Sequence, residues 1–175
     1  MSASSTPATF KYFAYGSNML TRRLTAKNRA PSANPIGIGY VEGRRLTFDK
    51  VSQDGSGKCD AEATGNNSYR VYGVIFEIAS TEKATLDQAE GLGSGYKGER
   101  IEVVTAAGKL QVNTYIATKK EPVLRPYRWY KAITVAGAME HGLPRDYVEW
   151  LRAFESVEDP NVKRRAENEA LLFAN

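Results

Sequence analysis

Phe10-Lys-Tyr-Phe-Ala-Tyr-Gly-Ser-Asn-Met19 is an aromatic-rich run that halts at a glycine. Phe10–Tyr15 predicts a first strand, largely buried, because such residues suit a packed pleated surface. Gly16-Ser17-Asn18 breaks it. Met19, Leu20, Arg22, Arg23 and Leu24 then suit a short helix, with Ser17 or Asn18 as N-cap. A strand running into a tight turn and a helix N-terminus aims several backbone N–H groups at one point. Such a nest binds carboxylates or phosphates. An ordinary strand–turn–helix with a capping Asn18 is the plainer alternative.

Working outward, Gly37–Val41 and Arg44–Lys50 predict two strands around a Glu42-Gly43 turn, and Ala61–Thr64 a weak one. Asp54–Lys58 reads as an exposed Gly/Ser loop. Tyr69–Ile78 is apolar on both faces around Gly73, as a central strand would be. Ser80 or Thr81 caps a helix to Glu90, and Gly91 stands where a left-handed C-terminal residue belongs. Gly91–Gly98 reads as a loop, and Ile101–Thr105 with Leu110–Thr118 as a hairpin around Ala107-Gly108. Helices follow over Tyr127–His141, from Pro144 with an apolar stripe of Tyr147, Trp150, Leu151 and Phe154, and from Pro160. Strands come mostly first and helices last, without a βαβ repeat. The expected class is therefore α+β, with strands numerous enough to close a barrel.

The chain has 175 residues, with 24 Lys+Arg, 20 Asp+Glu, one Cys and one His. One domain over residues 10–175, behind a disordered tail at 1–9, fits that length. One Cys and one His cannot build a zinc site or an internal disulfide. The tail lacks a signal peptide's basic and apolar regions, and no apolar stretch is long enough to span a membrane. The expected location is the cytoplasm. The net charge of +4 is uneven: residues 1–58 hold nine Lys/Arg against three Asp/Glu. That front half could attract small anions or nucleic acid, or be a solvated surface.

Three further patterns bear on chemistry. Gly93–Gly98 spells GxGxxG, but it follows a helix and precedes a strand, the reverse of a dinucleotide fingerprint. Cys59 and His141 could form a nucleophile–base pair, although structural roles suit both better. Leu86 and Glu90 are four residues apart and share a helix face. Leu86 should meet the core, so Glu90 should point inward beside the glycine loop, where burial raises a carboxylate pKa. A half-solvated Glu at the helix end is the alternative.

At these motifs the sequence resembles the γ-glutamylcyclotransferases. The resemblance rests on FAYGSNM (Phe13–Met19), VYGVIFEI (Val71–Ile78) and LDxxEG (Leu86–Gly91) with its glycine loop and Tyr96. It continues through TYIA (Thr114–Ala117) and Tyr130–Leu151, so it covers most of the chain. It implies a small mixed β-barrel flanked by helices. It also implies cyclisation of a γ-glutamyl substrate to 5-oxoproline with release of the free amine, using no metal or organic cofactor. By motif match Glu90 takes the role of catalytic acid/base. Tyr15, Gly16, Ser17 and Asn18 line the substrate pocket, as do Tyr96, Tyr115 and Tyr130.

The residues suit that chemistry. The nucleophile belongs to the substrate, so the protein mainly has to fold it toward a ring. An ordinary Glu lies about 3–4 pKa units below an α-amine, a transfer uphill by roughly 4–5 kcal/mol, and burial of Glu90 would reduce that cost. The same group could then protonate the leaving amine. The residues after Tyr96 and the segment from Pro31 to Ser68 depart from the family pattern, so selectivity is expected there. YGSN favours γ-glutamyl amino acids or an antibiotic-pathway γ-glutamyl protecting group over glutathione or γ-glutamylamines. The expected partner is a small-molecule substrate, not nucleic acid or a membrane, and the chain a monomer or homodimer. The rival is a non-catalytic binding module on the same fold, using its basic half to hold an anion.

Overall fold

A computed structural model describes residues 6–174. The first strand, β1 (Thr9–Ala14), buries Tyr12, Phe13 and Ala14 in succession, so both of its faces are packed. The expected tail is shorter than read. Thr9 is already in register with Ala79, and the Ala8 carbonyl accepts from Ser80 N–H. Met1–Ser5, the start of that tail, lie outside the described residues.

The other strands are β2 (Asn34–Glu42), β3 (Arg44–Val51), β4 (Gly57–Ala63), β5 (Arg70–Ala79), β6 (Tyr96–Thr105) and β7 (Gly108–Ala117). Five of them close a barrel in the order β1-β5-β2-β6-β7. All of its ladders are antiparallel except the closing one, where β1 runs parallel to β7. That seam has the single pair Tyr12↔Asn113, and side chains complete it: Asn113 donates to Lys11 O (3.0 Å) and Thr114 to Phe13 O (2.9 Å). β5 is central, paired on both edges as its two-faced apolarity predicts.

β2 and β3 meet at Gly43 as expected, but they belong to different sheets. Gly43 has φ +75°, a backbone that glycine adopts without strain, and there the chain leaves the barrel for a two-stranded β3–β4 sheet. Two loop boundaries move. Gly57 and Lys58, read as loop, begin β4, and Tyr96–Gly98, read as loop, begin β6. In both cases a partner strand supplies the ladder that the local composition does not announce: Val51↔Gly57 and Tyr96↔Ala117.

Among the described residues five helices pack around this frame: α1 (Thr21–Leu24), α2 (Lys83–Glu90), α3 (Arg128–Glu140), α4 (Arg145–Arg152) and α5 (Val162–Phe173). Gly91 ends α2 at φ +69°, ψ +43°, as its position foretold. Neither Ser80 nor Thr81 caps α2 through its side chain; they form a 3₁₀ turn instead. On α4, Tyr147 and Leu151 are buried, but Trp150 lies 41% exposed, stacked on Tyr147 and edge-on to Phe154. No helix is long and apolar enough to cross a membrane among the described residues.

α3 lies tight against the turn that follows β1. A Cβ on Gly137 would sit 2.4 Å from Leu20 N and 2.5 Å from the Met19 carbonyl carbon. At an exposed helical site Gly→Ala stabilises by about 1 kcal/mol. Here the added methyl must push backbone from backbone, and overpacking costs roughly 1–3 kcal/mol. Gly137→Ala is therefore expected to lower the melting temperature, by about 2–10 °C for a domain of this size. A thermal scan in which the variant melts above the parent would overturn this account of the contact.

Candidate active site

The cavity lies at the end of the barrel where β1 and β7 finish and β6 begins. Its walls are Tyr12, Tyr15, Gly16, Ser17, Asn18, Cys59, Glu90, Tyr96, Tyr115 and Tyr130, around some 300 Å³ of space. All eight residues that the resemblance places in the site stand on this wall. Three elements present most of them. The β1 exit turn carries Tyr15–Asn18, the C-terminus of α2 carries Glu90, and α3 brings Tyr130 across the opening.

The Gly16–Asn18 turn is a 3₁₀ turn whose Met19 and Leu20 N–H groups bond back to Gly16 and Ser17 carbonyls. As at any helix start, the first donors are left over. Ser17 and Asn18 N–H have no acceptor among the described residues. Asn18 does not cap the turn as read. Its amide is committed elsewhere, donating to Tyr12 Oη (3.1 Å) and to Glu90 Oε1 (2.7 Å).

Glu90 does face inward, on the same side of α2 as the fully buried Leu86. Its side chain is 16% exposed, and it is not isolated among apolar groups. Arg29 donates to the same Oε1 at 3.0 Å and also to Asn18 Oδ1 at 3.3 Å, closing a three-residue ring of donors and acceptors. Oε2 has no protein partner among the described residues. One oxygen is thus pinned and the other is left for a ligand.

The tyrosines are positioned by hydroxyl contacts. Tyr15 donates to the Tyr115 carbonyl, Tyr115 to Asp87 (2.6 Å) and Tyr96 to the Cys59 carbonyl (2.6 Å). Tyr130 accepts from Cys59 N–H at 3.2 Å. Burial pushes Tyr15, Tyr96 and Tyr130 well above the ordinary phenol pKa. Burial also raises Tyr115, with its bond to Asp87 adding to the effect. They are neutral at physiological pH. Burial lifts the Cys59 thiol to about 12, so it is no thiolate nucleophile.

The structure does not assemble the Cys59–His141 pair. His141 is engaged with Thr21 Oγ1 (3.0 Å) and Glu140 (2.9 Å), away from the cavity wall. The sequence reading missed Tyr12 and Arg29. Tyr12, in a strand read as largely buried, was legible as core, not as wall. Arg29 sits in an irregular stretch after α1, and no spacing rule links it to Glu90.

A family model described as AIG2-like family matches residues 70–151, which hold Glu90, Tyr96, Tyr115 and Tyr130. A mouse protein named gamma-glutamylcyclotransferase is 35% identical over 86% of this chain and 81% of its own. The human protein of that name is 36% identical over 83% of this chain and 79% of its own. A solved structure titled gamma-glutamyl cyclotransferase superposes with TM-score 0.83 at 28% identity, covering 95% of this chain and 100% of that one. The chain belongs to the gamma-glutamylcyclotransferase family.

The state of Cys59 is directly measurable. At 2% exposure and a pKa near 12, it is expected to resist a thiol reagent such as dithiobisnitrobenzoate in the native protein at pH 8. One equivalent should react promptly once the protein is unfolded. Rapid native labelling would show that the cavity wall opens more freely than this packing allows.

Proposed function

We propose that the protein cyclises the γ-glutamyl group of a γ-glutamyl amino acid or amine to 5-oxoproline and releases the free amine, with Glu90 carrying the protons. One observation supports this most. Of the ten residues lining the cavity, Glu90 alone is a carboxylate, and the phenols and thiol around it are held neutral. A proton acceptor and donor is needed, and Glu90 is the group suited to both tasks.

The α-nitrogen of the substrate attacks its own γ-carbonyl carbon. A C–N bond closes the five-membered ring, and the amide C–N bond to the leaving amine breaks. Between ammonium and lactam the α-nitrogen gives up two protons; between amide and ammonium the leaving nitrogen gains two. Glu90 Oε2 moves them one at a time, while Asn18 and Arg29 steady Oε1. Attack within one molecule needs no protein nucleophile, and the enclosed tyrosine wall favours the folded substrate conformer. The spare N–H groups of Ser17 and Asn18 offer donors to the substrate's anionic atoms.

Glu90→Gln keeps the shape of the side chain and removes its basicity. Release of 5-oxoproline is expected to fall by about 10²–10⁴-fold, the usual worth of a general acid–base. Circular dichroism and melting temperature should stay close to the parent's. The substrate panel is γ-glutamyl-alanine, glutathione and γ-glutamyl-ε-lysine. Normal turnover by the variant rejects the role of Glu90, and 5-oxoproline from none of the three rejects the reaction.

A further inference from the structure

Beside the cyclisation cavity lies a second opening of about 820 Å³, which shares Ser17, Glu90, Tyr96 and Tyr130 with it. Four cations line it, Arg23, Arg29, Lys50 and Lys58, against two carboxylates, Asp54 and Glu90. The carboxylates are already spoken for: Arg29 pairs with Glu90 at 3.0 Å and Lys58 with Asp54 at 2.7 Å. Arg23 and Lys50 have no acidic partner among the described residues.

Both are placed where an unpaired charge is costly. β3 buries alternate residues, and Lys50 follows Leu46 and Phe48 on that inward face, only 9% exposed. Its ammonium lies 4.4 Å from the Tyr96 ring centroid. The glycine loop makes room for it, since a Cβ on Gly95 would stand 3.0 Å from Lys50 Nζ. Arg23 spends one nitrogen on Asn168 Oδ1 (3.2 Å), while its Nε is buried with no hydrogen-bond partner. Burial, and then the like charge of Arg29, lower the Arg23 pKa to about 10. The opening therefore holds more positive charge than it neutralises, and an incoming anion would relieve it.

Its position says which anion. Glu90 borders both spaces, and on the proposed reaction it must reach the departing nitrogen. The second opening adjoins Glu90, so it offers room for a group attached to that nitrogen. We propose that Arg23 and Lys50 form an anion subsite for the α-carboxylate of the departing amino acid, selecting γ-glutamyl amino acids over γ-glutamyl amines. The inference rests on the cyclisation reading for the direction in which the substrate lies. Lys50 comes from the segment between Pro31 and Ser68, one of the stretches where selectivity is expected.

The test uses a matched pair, γ-glutamyl-alanine and γ-glutamyl-ethylamide, which differ by the leaving group's carboxylate alone. A charge-assisted contact of about 1.5–3 kcal/mol corresponds to roughly 10–100-fold. The parent is expected to prefer the alanine substrate by that factor in kcat/KM, mostly through KM, and added salt should narrow the gap. Lys50→Met and Arg23→Gln should each reduce the preference by about tenfold. Parent and variants are also titrated calorimetrically with both compounds in the Glu90→Gln background, which reads binding without turnover. A binding preference that neither variant reduces overturns the subsite, as does a parent that binds both compounds equally. Selective binding without 5-oxoproline from either compound instead overturns the cyclisation reading and leaves the subsite standing.

Discussion

The close approach of α3 to the turn after β1 holds the site together. Gly137 lets the helix rest directly on the Met19–Leu20 backbone, where any side chain would intrude. That contact fixes two partners at once: the Gly16–Asn18 turn beneath the helix, and Tyr130, two turns earlier on the same helix, above the cavity. Gly16 answers in kind, since a Cβ there would stand 3.0 Å from Cys59 Cβ and 3.1 Å from Tyr130 Oη. Missing Cβ atoms at two positions thus set the distance between the barrel and the helical layer. On the barrel side Gly73 does the same for β1, where a Cβ would meet Ala14 O at 2.4 Å. The cavity is what remains between surfaces that are otherwise in contact.

Within that frame, charge and neutrality are divided sharply. Five tyrosines and a thiol surround one carboxylate in the cavity. Burial keeps the phenols protonated, so they supply shape and hydroxyl donors, and on the proposed reading proton traffic falls to Glu90. The carboxylate is kept from wandering by Asn18 and Arg29, which meet it through one oxygen. One long side chain and one short amide define its orientation, and a rotamer change at either would turn the carboxylate from its place in the cavity wall. Such support is what turns a glutamate at a helix end into a directed group.

Local signals made much of this legible. Gly91 after α2, the two-faced β5 and the Leu86–Glu90 spacing each announce their place through backbone need or periodicity, and the structure puts them there. The YGSN turn was placed on the pocket wall by its likeness to the family motif, since its backbone alone suited either an anion nest or an ordinary turn. Arg29 was not, because its partner is 61 residues away and its own surroundings carry no repeat. Lys58 was read as part of an exposed Gly/Ser loop, yet its ammonium lies 4.5 Å from the Tyr130 ring and 4.6 Å from that of Trp129. Aromatic groups from α3 bury it, and nothing within its own stretch records them. Barrel closure was hidden similarly: β1 and β7 meet through one parallel pair about a hundred residues apart.

The β3–β4 sheet gives these long-range features a common logic. It is hydrogen-bonded apart from the five barrel strands, and it docks at the barrel end through side chains such as Asp60, which accepts from Ala117 N–H at 2.8 Å. Its strands contribute no rung to the barrel ladders. It nevertheless carries Lys50 and Lys58 to the opening beside Glu90 and Cys59 to the cavity itself. The γ-glutamyl half of a substrate would thus meet residues fixed by barrel closure and by α3. The departing half would meet the charged side chains that this separate sheet brings to the second opening. A fold arranged this way can keep one proton-transfer geometry while different leaving groups are read by whichever charges β3 and β4 present.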